Sequence, residues 1–221
     1  MGLVALVLVL FAGYWIGSAF YKRKLANDIS VAMVEGRQED YAKLLFSKRA
    51  MYFLESSSLC LLRANYKASV GEFEEAEKNI KVVRVKKLNF EQKINYYQTR
   101  TMIAMNKKDA EEFVAIKEEL KLLEDGENPE IIKAMIKENE INYRLYFKYD
   151  SSVIKDLNDN IKAAEGPAKD VLRISLAKAY YLNGQQKEAI EALNKSKKEL
   201  KGTFYEDLIN ATLEDMSIMD N

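Results

Sequence analysis

The chain has 221 residues, with 34 Lys and Arg balanced by 34 Asp and Glu, so its formal net charge is zero. That balance argues against a nucleic-acid binder, which carries a basic excess on one face. Histidine is absent and Cys60 is the single cysteine, which excludes histidine-built zinc sites, Ser-His triads and any intrachain disulfide. Only two prolines and nine glycines occur. Helix breakers are scarce, hydrophobic content is 48% and charge is 31% but well mixed. Such a composition predicts a folded, all-α protein.

No charge occurs before Lys22. The run Leu3 to Phe20 is apolar and just long enough to cross a bilayer as one helix. Lys22, Arg23 and Lys24 follow it directly, so residues 1–24 are expected to be a single transmembrane anchor with a basic stop. The positive-inside rule then puts residue 22 onward in the cytoplasm, as a single-pass protein of the cell membrane. Tyr14, Trp15 and Tyr21 are candidate interfacial anchors. Two rivals stand beside this reading. One is the same anchor with an external domain. The other is a cleaved signal peptide, for which Ser18-Ala19-Phe20 offers a site but the usual basic residue before the apolar run is missing. Gly13 and Gly17 form a GxxxG pair that allows a homodimer through the anchor.

After the anchor, apolar spacing and capping residues predict paired helices. They fall near 26–35 and 38–48, 49–69 and 73–87, 90–105 and 109–123, 129–148 and 151–164, and 167–182 and 186–200. Asn89 with Gln92, Asp109 with Glu112, and Thr203 with Glu206 have capping-box spacing. Pro129 and Pro167 fit first helical positions, where the missing N–H costs nothing. EDGENPE at 124–130 reads as a longer loop. Residues 204–215 are expected to cap the stack, and 216–221 to form a disordered tail.

The stretch 170–203 carries the most specific pattern. Leu176 and Ala177 pair a large and a small apolar residue on one helix face with Tyr180. Gly184 permits a left-handed turn, Ala189 lets the next helix approach closely, and Leu193 continues its apolar face. The same unit recurs more weakly, with equivalents of Ala189 at Tyr41, Ala76, Ala110 and Ile154, spaced 35, 34, 44 and 35 residues apart. Leu62, Tyr66, Gly71, Phe73, Ala76 and Ile80 make the second-best copy. This pattern resembles the tetratricopeptide repeat, a helix–turn–helix unit of about 34 residues. The resemblance covers about 28–215. It implies an all-α right-handed superhelix of about five TPR-like hairpins over residues 25–215, with a C-terminal capping helix and the single transmembrane helix before it.

No pattern of residues points to catalysis. The glycines are isolated, so no phosphate loop is present. Cys60 in LCLLRA has no histidine to activate it and reads as a small core residue. Paired carboxylates such as Glu74-Glu75 sit on lysine-rich helices, as solvated faces do. The basic run Lys78, Lys81, Arg84, Lys86 and Lys87 suits a helix C-terminus, with contact to anionic lipid headgroups as the sharper alternative. No enzyme activity and no cofactor or metal is expected.

Binding is the expected role. In the repeat family the first helix of each pair lines a concave groove for a partner protein or peptide. That resemblance implies groove residues Val171, Ile174, Lys178 and Tyr181 in the last unit. It implies Ile136, Asn139, Tyr143 and Tyr146 in the fourth, and Gln92, Asn95, Thr99 and Met102 in the third. Tyr143, Tyr146 and Phe147 read equally well as packing between hairpins. The expectation is a membrane-tethered scaffold or adaptor for an unknown protein or peptide partner, without nucleic acid. The alternative is an extracytoplasmic anchored chaperone or envelope-assembly factor of the same fold.

Overall fold

The computed structural model describes the backbone of residues 2–201 and 204–220, and the side chains of 18–201 and 205–220. Among these residues there are twelve α-helices and no strand. The chain divides into two compact units, Met1–Ile103 and Ala104–Asn221, where a single repeat domain over 25–215 was expected. The division falls inside a helix, so no loop or composition change announces it.

In the first unit, α1 (Gly2–Val34) is one unbroken helix of 33 residues. The expected boundary at residue 24 therefore has no linker. Leu25, Ile29 and Ala32 lie at helical spacing on the buried side of its last turns. They meet Tyr41 and Leu45 of α2 (Gln38–Leu45), Ala50 of α3 (Lys48–Phe53) and Leu59 of α4 (Ser56–Ser69) in one core. Among the described residues no helix is long and apolar enough to cross a membrane. The apolar run, with Gly13 and Gly17, falls mostly on side chains outside that set, as does the Thr203 cap.

The helix expected over 49–69 is broken. Leu54 and Glu55 are extended, with ψ of 149° and 135°. Ser47 caps α3 by accepting from the Ala50 amide at 3.1 Å, and Glu55 caps α4 by accepting from the Ser58 amide at 2.9 Å. Two side-chain caps inside one apolar-periodic stretch make a second helix start cheaper than continuation. The α5 helix (Phe73–Lys81) ends earlier than expected. A 3-10 turn at Val85–Lys87 follows it, held near α4 by the Arg84 amide donating to Ser57 Oγ. Leu61, Ala64 and Ala68 of α4 and Ala76 and Ile80 of α5 form the second core of this unit. The α6 helix (Phe90–Asn106) opens with a reciprocal capping box, Gln92 N to Asn89 Oδ1 at 2.9 Å and Asn89 N to Gln92 Oε1 at 3.1 Å.

The second unit contains α7 (Ala110–Lys121), α8 (Pro129–Tyr143), α9 (Val153–Ala163), α10 (Gly166–Leu182), α11 (Gln186–Glu199) and α12 (Phe204–Glu214). Asp109 caps α7, accepting from the Glu112 amide at 3.0 Å. Pro129 starts α8, and Pro167 sits in the first turn of α10. A π-helical turn at Arg144–Lys148 extends α8. Ile141, Leu145, Val153, Leu157, Ile161, Leu176 and Ala179 make the core shared by α8, α9 and α10. Ala177, Ala189, Ala192, Leu193, Leu200 and Ile209 make the core shared by α10, α11 and α12. All the residues that defined the pattern at 176–193 therefore sit at helix–helix contacts, with Gly184 at φ +73° in the turn.

Five helix ends carry a left-handed residue, and at one of them the N–H groups of Tyr149 and Asp150 both donate to the Arg144 carbonyl. Gly36, Gly71, Lys108, Tyr149 and Gly184 each have a left-handed φ between 52° and 80° and follow a long helix. At Gly184 its N–H donates to Tyr181 O and the next N–H to Tyr180 O, the paired bonds of a Schellman ending. The same pair recurs at Gly36, Gly71 and Lys108. These residues are 35, 37, 41 and 35 apart. Counting five onward from each gives Tyr41, Ala76, Phe113, Ile154 and Ala189, the expected set except that Phe113 stands where Ala110 was expected. Phe113 is fully buried, whereas Ala110 is not.

One further expectation is corrected. Met216–Asp220, read from sequence as part of a disordered tail, is a 3-10 helix with Met219 buried against Ala177 and its neighbours. Ile218 and Met219 supply apolar area that a solvated tail lacks.

Candidate partner-binding face

The groove residues expected in the first unit do not form an open surface. Thr99 is only 2% exposed, and its hydroxyl donates to the Asn95 carbonyl one turn earlier at 2.8 Å. Gln92 is tied into the capping box and donates to Ser58 Oγ at 3.0 Å. Met102 packs against the α4–α5 core. Asn95 alone of that set has an exposed side chain.

In the second unit Asn139 is buried at 4% exposure, so it offers no amide to a partner. Tyr143 stacks on Phe147 with ring centroids 5.5 Å apart, and both rings lie against the buried Phe113. Helix packing is therefore the role of Tyr143. Ile136 is half-buried on the same helix.

Tyr146, Ile174, Lys178 and Tyr181 do come together. Ile174, Lys178 and Tyr181 occupy successive turns along one face of α10, as their spacing dictates. Tyr146 approaches from the π-helical turn, with its ring 4.2 Å from Lys178 Nζ. Ile174, Lys178 and Tyr146 line a cavity of about 220 Å³ together with Leu208 and Thr212 of α12 and Ile218 and Met219 of the 3-10 segment. Tyr181 lies beside it, its hydroxyl donating to the Asp220 carboxylate at 3.2 Å. Lys108 Nζ donates to the Asp220 carbonyl at 3.4 Å. Val171 packs against the core of α10, α11 and α12, as Ile174 and Tyr181 also do in part, but it does not line the cavity.

The electrostatics of this face are unusual for a surface lysine. Burial pushes the Lys178 ammonium down to about 8, helped by the neighbouring Lys108 cation and opposed by Asp220. Burial raises the Tyr146 phenol. Burial, followed by the Asp220 carboxylate, raises that of Tyr181. The result is an amphipathic pocket: aliphatic and aromatic walls, two nearby cations and one carboxylate. It can take an apolar side chain flanked by an acidic or carbonyl group. Among the described residues no group of three or more His, Cys, Asp or Glu side chains is placed to hold a metal ion.

Sequence reasoning missed Lys108, Asp220 and Met219. The apolar pair Ile218-Met219, spaced to follow Leu213 of α12, was the available signal for the last of these. Much of the basic run at 78–87 is spoken for, since Lys78 pairs with Glu75, Lys81 with Glu77 and Lys87 with Glu55. Cys60 is half-buried against the α4–α5 core.

No protein-family model, no curated protein and no solved structure matches the chain.

Proposed function

We propose that this chain is a membrane-tethered adaptor whose α10 face binds a protein or peptide partner. The observation that carries the reading is the convergence of Ile174, Lys178 and Tyr181 with Tyr146 around one amphipathic cavity. Aromatic walls give contact area at low entropy cost, and a partly desolvated cation gives selectivity for an acidic group. The partial burial of Lys178 disfavours its charged form, and the Tyr146 ring and the Asp220 carboxylate offset this in part.

In this reading residues 3–20 span the cell membrane and Lys22, Arg23 and Lys24 hold the folded part in the cytoplasm. The five left-handed turns are the joints of TPR-like repeats stacked in a right-handed superhelix. Tethering concentrates the partner at the membrane without new contacts.

The test uses full-length protein in its native membrane. A photocrosslinking residue in place of Tyr181 or Ile174 is expected to capture one discrete partner. The same residue in place of the exposed Ile190 of α11 is expected to capture none, and Lys178→Glu to abolish the capture at 181. Equal capture at 174, 181 and 190, or none, overturns the α10 face. A reporter fused after residue 221 that is active only outside the cytoplasm overturns the topology.

A further inference from the structure

We infer that α3, with the Phe20–Lys24 turn of α1, is a second membrane contact that takes the headgroups of anionic phospholipids. The inference rests on the reading of residues 3–20 as a membrane span. It adds a surface that the span alone does not imply.

Four observations in the first unit converge on it. The first is placement. After Gly36 reverses the chain, α2 runs back along α1 and delivers α3 to the level of Tyr21. The Phe53 ring stacks on Tyr21 at 6.1 Å with an interplanar angle of 22°. Tyr21 to Leu25 spans about 6 Å along a helix. The headgroup layer beyond the hydrocarbon edge is about 5–8 Å thick. If the apolar run ends at the hydrocarbon edge, α3 lies within that layer.

The second is exposure. Phe20, Tyr21, Met51 and Tyr52 are 65%, 60%, 57% and 68% exposed. Four large apolar or aromatic side chains on adjacent turns are costly in water and favourable at a bilayer interface. The third is charge. Lys22, Arg23, Lys24, Lys48 and Arg49 are all exposed on the same two turns. Lys24, Lys48 and Arg49 border a cavity of about 390 Å³ whose walls include Tyr21, Ser47 and Phe53, with Asp28 as the carboxylate in its lining. Cations rimming an apolar hollow match a phosphate above an acyl chain.

The fourth is rigidity. Because α1 is unbroken and gives Leu25, Ile29 and Ala32 to the core, the span holds α3 within reach of the headgroup layer, and the tilt of α1 that headgroup contact favours decides whether α3 docks. A flexible linker would leave that reach undefined. The break at Leu54-Glu55 also acquires a role, since α3 is cut to six residues and turned away from the axis that α4 would otherwise have extended.

The test uses the full chain with Cys60→Ala, carrying Tyr52→Cys or, as control, Val70→Cys, each labelled with bimane. Val70 ends α4, about 20 Å along that helix from its start near α3. The proteins are reconstituted into phosphatidylcholine vesicles, with or without phosphatidylglycerol, containing lipids brominated high on the acyl chain. Trp15, the single tryptophan, reports the span in the same sample. The expected result is quenching of Trp15 in both vesicle types, and of bimane at 52 but not at 70 when phosphatidylglycerol is present. Each near-surface cation contributes about five-fold to such an equilibrium, so Lys48→Gln with Arg49→Gln is expected to lower the docked fraction ratio about 30-fold.

Quenched Trp15 with unquenched bimane at 52 overturns the second contact and leaves the span standing. Quenching at 52 that ignores phosphatidylglycerol overturns headgroup selection. Unquenched Trp15 overturns the span and this inference together. Labelling at Met51→Cys repeats the reading should Tyr52→Cys alter the helical circular dichroism.

Discussion

Lys108 and Tyr149 hold φ of 52°, a conformation that costs an L-residue about 1–2 kcal/mol relative to a right-handed one. Gly36, Gly71 and Gly184 occupy the same position in their turns without that cost. Tyr149 is half exposed. Tyr149→Gly is therefore expected to raise stability by about 0.5–1 kcal/mol, the relief of strain less the added freedom of the unfolded chain. Urea melts of the two proteins check it, and an unchanged or lower midpoint would show that the ring does more than its exposure indicates. Lys178 makes the opposite kind of residue-scale case. Its folded value of about 8 lies below the ordinary 10.5, so between those two pH values the unfolded chain binds more protons. The contribution of this group to stability therefore rises with pH across 8 to 10.5, and below 8 its full penalty applies. Lys178→Met is expected to stabilise the protein at pH 7 by about 1–2 kcal/mol, below the roughly 3 kcal/mol that 1.36 per unit would set as a ceiling. The difference between the two proteins is expected to shrink by pH 10, measured as paired thermal melts so that the tyrosines cancel. In the same samples the partner captured at Tyr181 is expected to weaken.

At the scale of elements, side-chain caps mark the starts of α3, α4, α6 and α7. Glu55 accepts from Ser58 and also interacts with the Ser57 amide and Lys87, in that order of effect, and these hold its carboxyl below the ordinary range. Its capping contribution is thus present at neutral pH and lost as pH falls through the carboxylate range. Glu55→Ala is expected to cost about 1 kcal/mol and to fray the first turn of α4, seen as faster amide exchange at Ser58 and Leu59. The α7, α9, α10, α11 and α12 helices were readable from the sequence to within a residue or two. Each combines apolar spacing with a polar or proline residue at its start, a pattern readable within one turn of sequence. The gap between α3 and α4 was not, because Leu54 and Glu55 carry no glycine or proline. What separates the helices is a carboxylate preferring a backbone amide to solvent. The left-handed turns at Lys108 and Tyr149 were hidden for a related reason: a non-glycine residue enters that region only when the packing of both flanking helices compels it.

For the molecule as a whole, α1 joins the apolar segment to the core of the first unit without interruption. A chain begun at Tyr21 keeps Leu25, Ile29 and Ala32 and is expected to retain the thermal transition of that unit. A chain begun at Gly36 loses two large buried side chains worth about 1.5–3 kcal/mol each, and is expected to lose that transition or lower it by tens of degrees. Survival of the unit without α1 would show that the apolar segment and the fold are separable. Division of the chain inside α6 was beyond sequence reading, since no change of composition marks it. Of the expected binding residues, Ile174, Lys178, Tyr181 and Tyr146 meet in the structure, while Thr99, Asn139 and Tyr143 are taken up by packing.

The sequence by itself determined the all-helical class, most helix starts and the position of three glycine turns. It did so because these depend on side chains three or four residues apart. It also determined that an uncharged segment of bilayer length precedes three consecutive cations. Only the tertiary structure decided which tyrosines and asparagines are buried in helix packing, that Met216–Asp220 lies on α10, and that α3 returns to the level of Tyr21. Those outcomes depend on which distant segment covers a face, and helical periodicity marks a face without naming its cover.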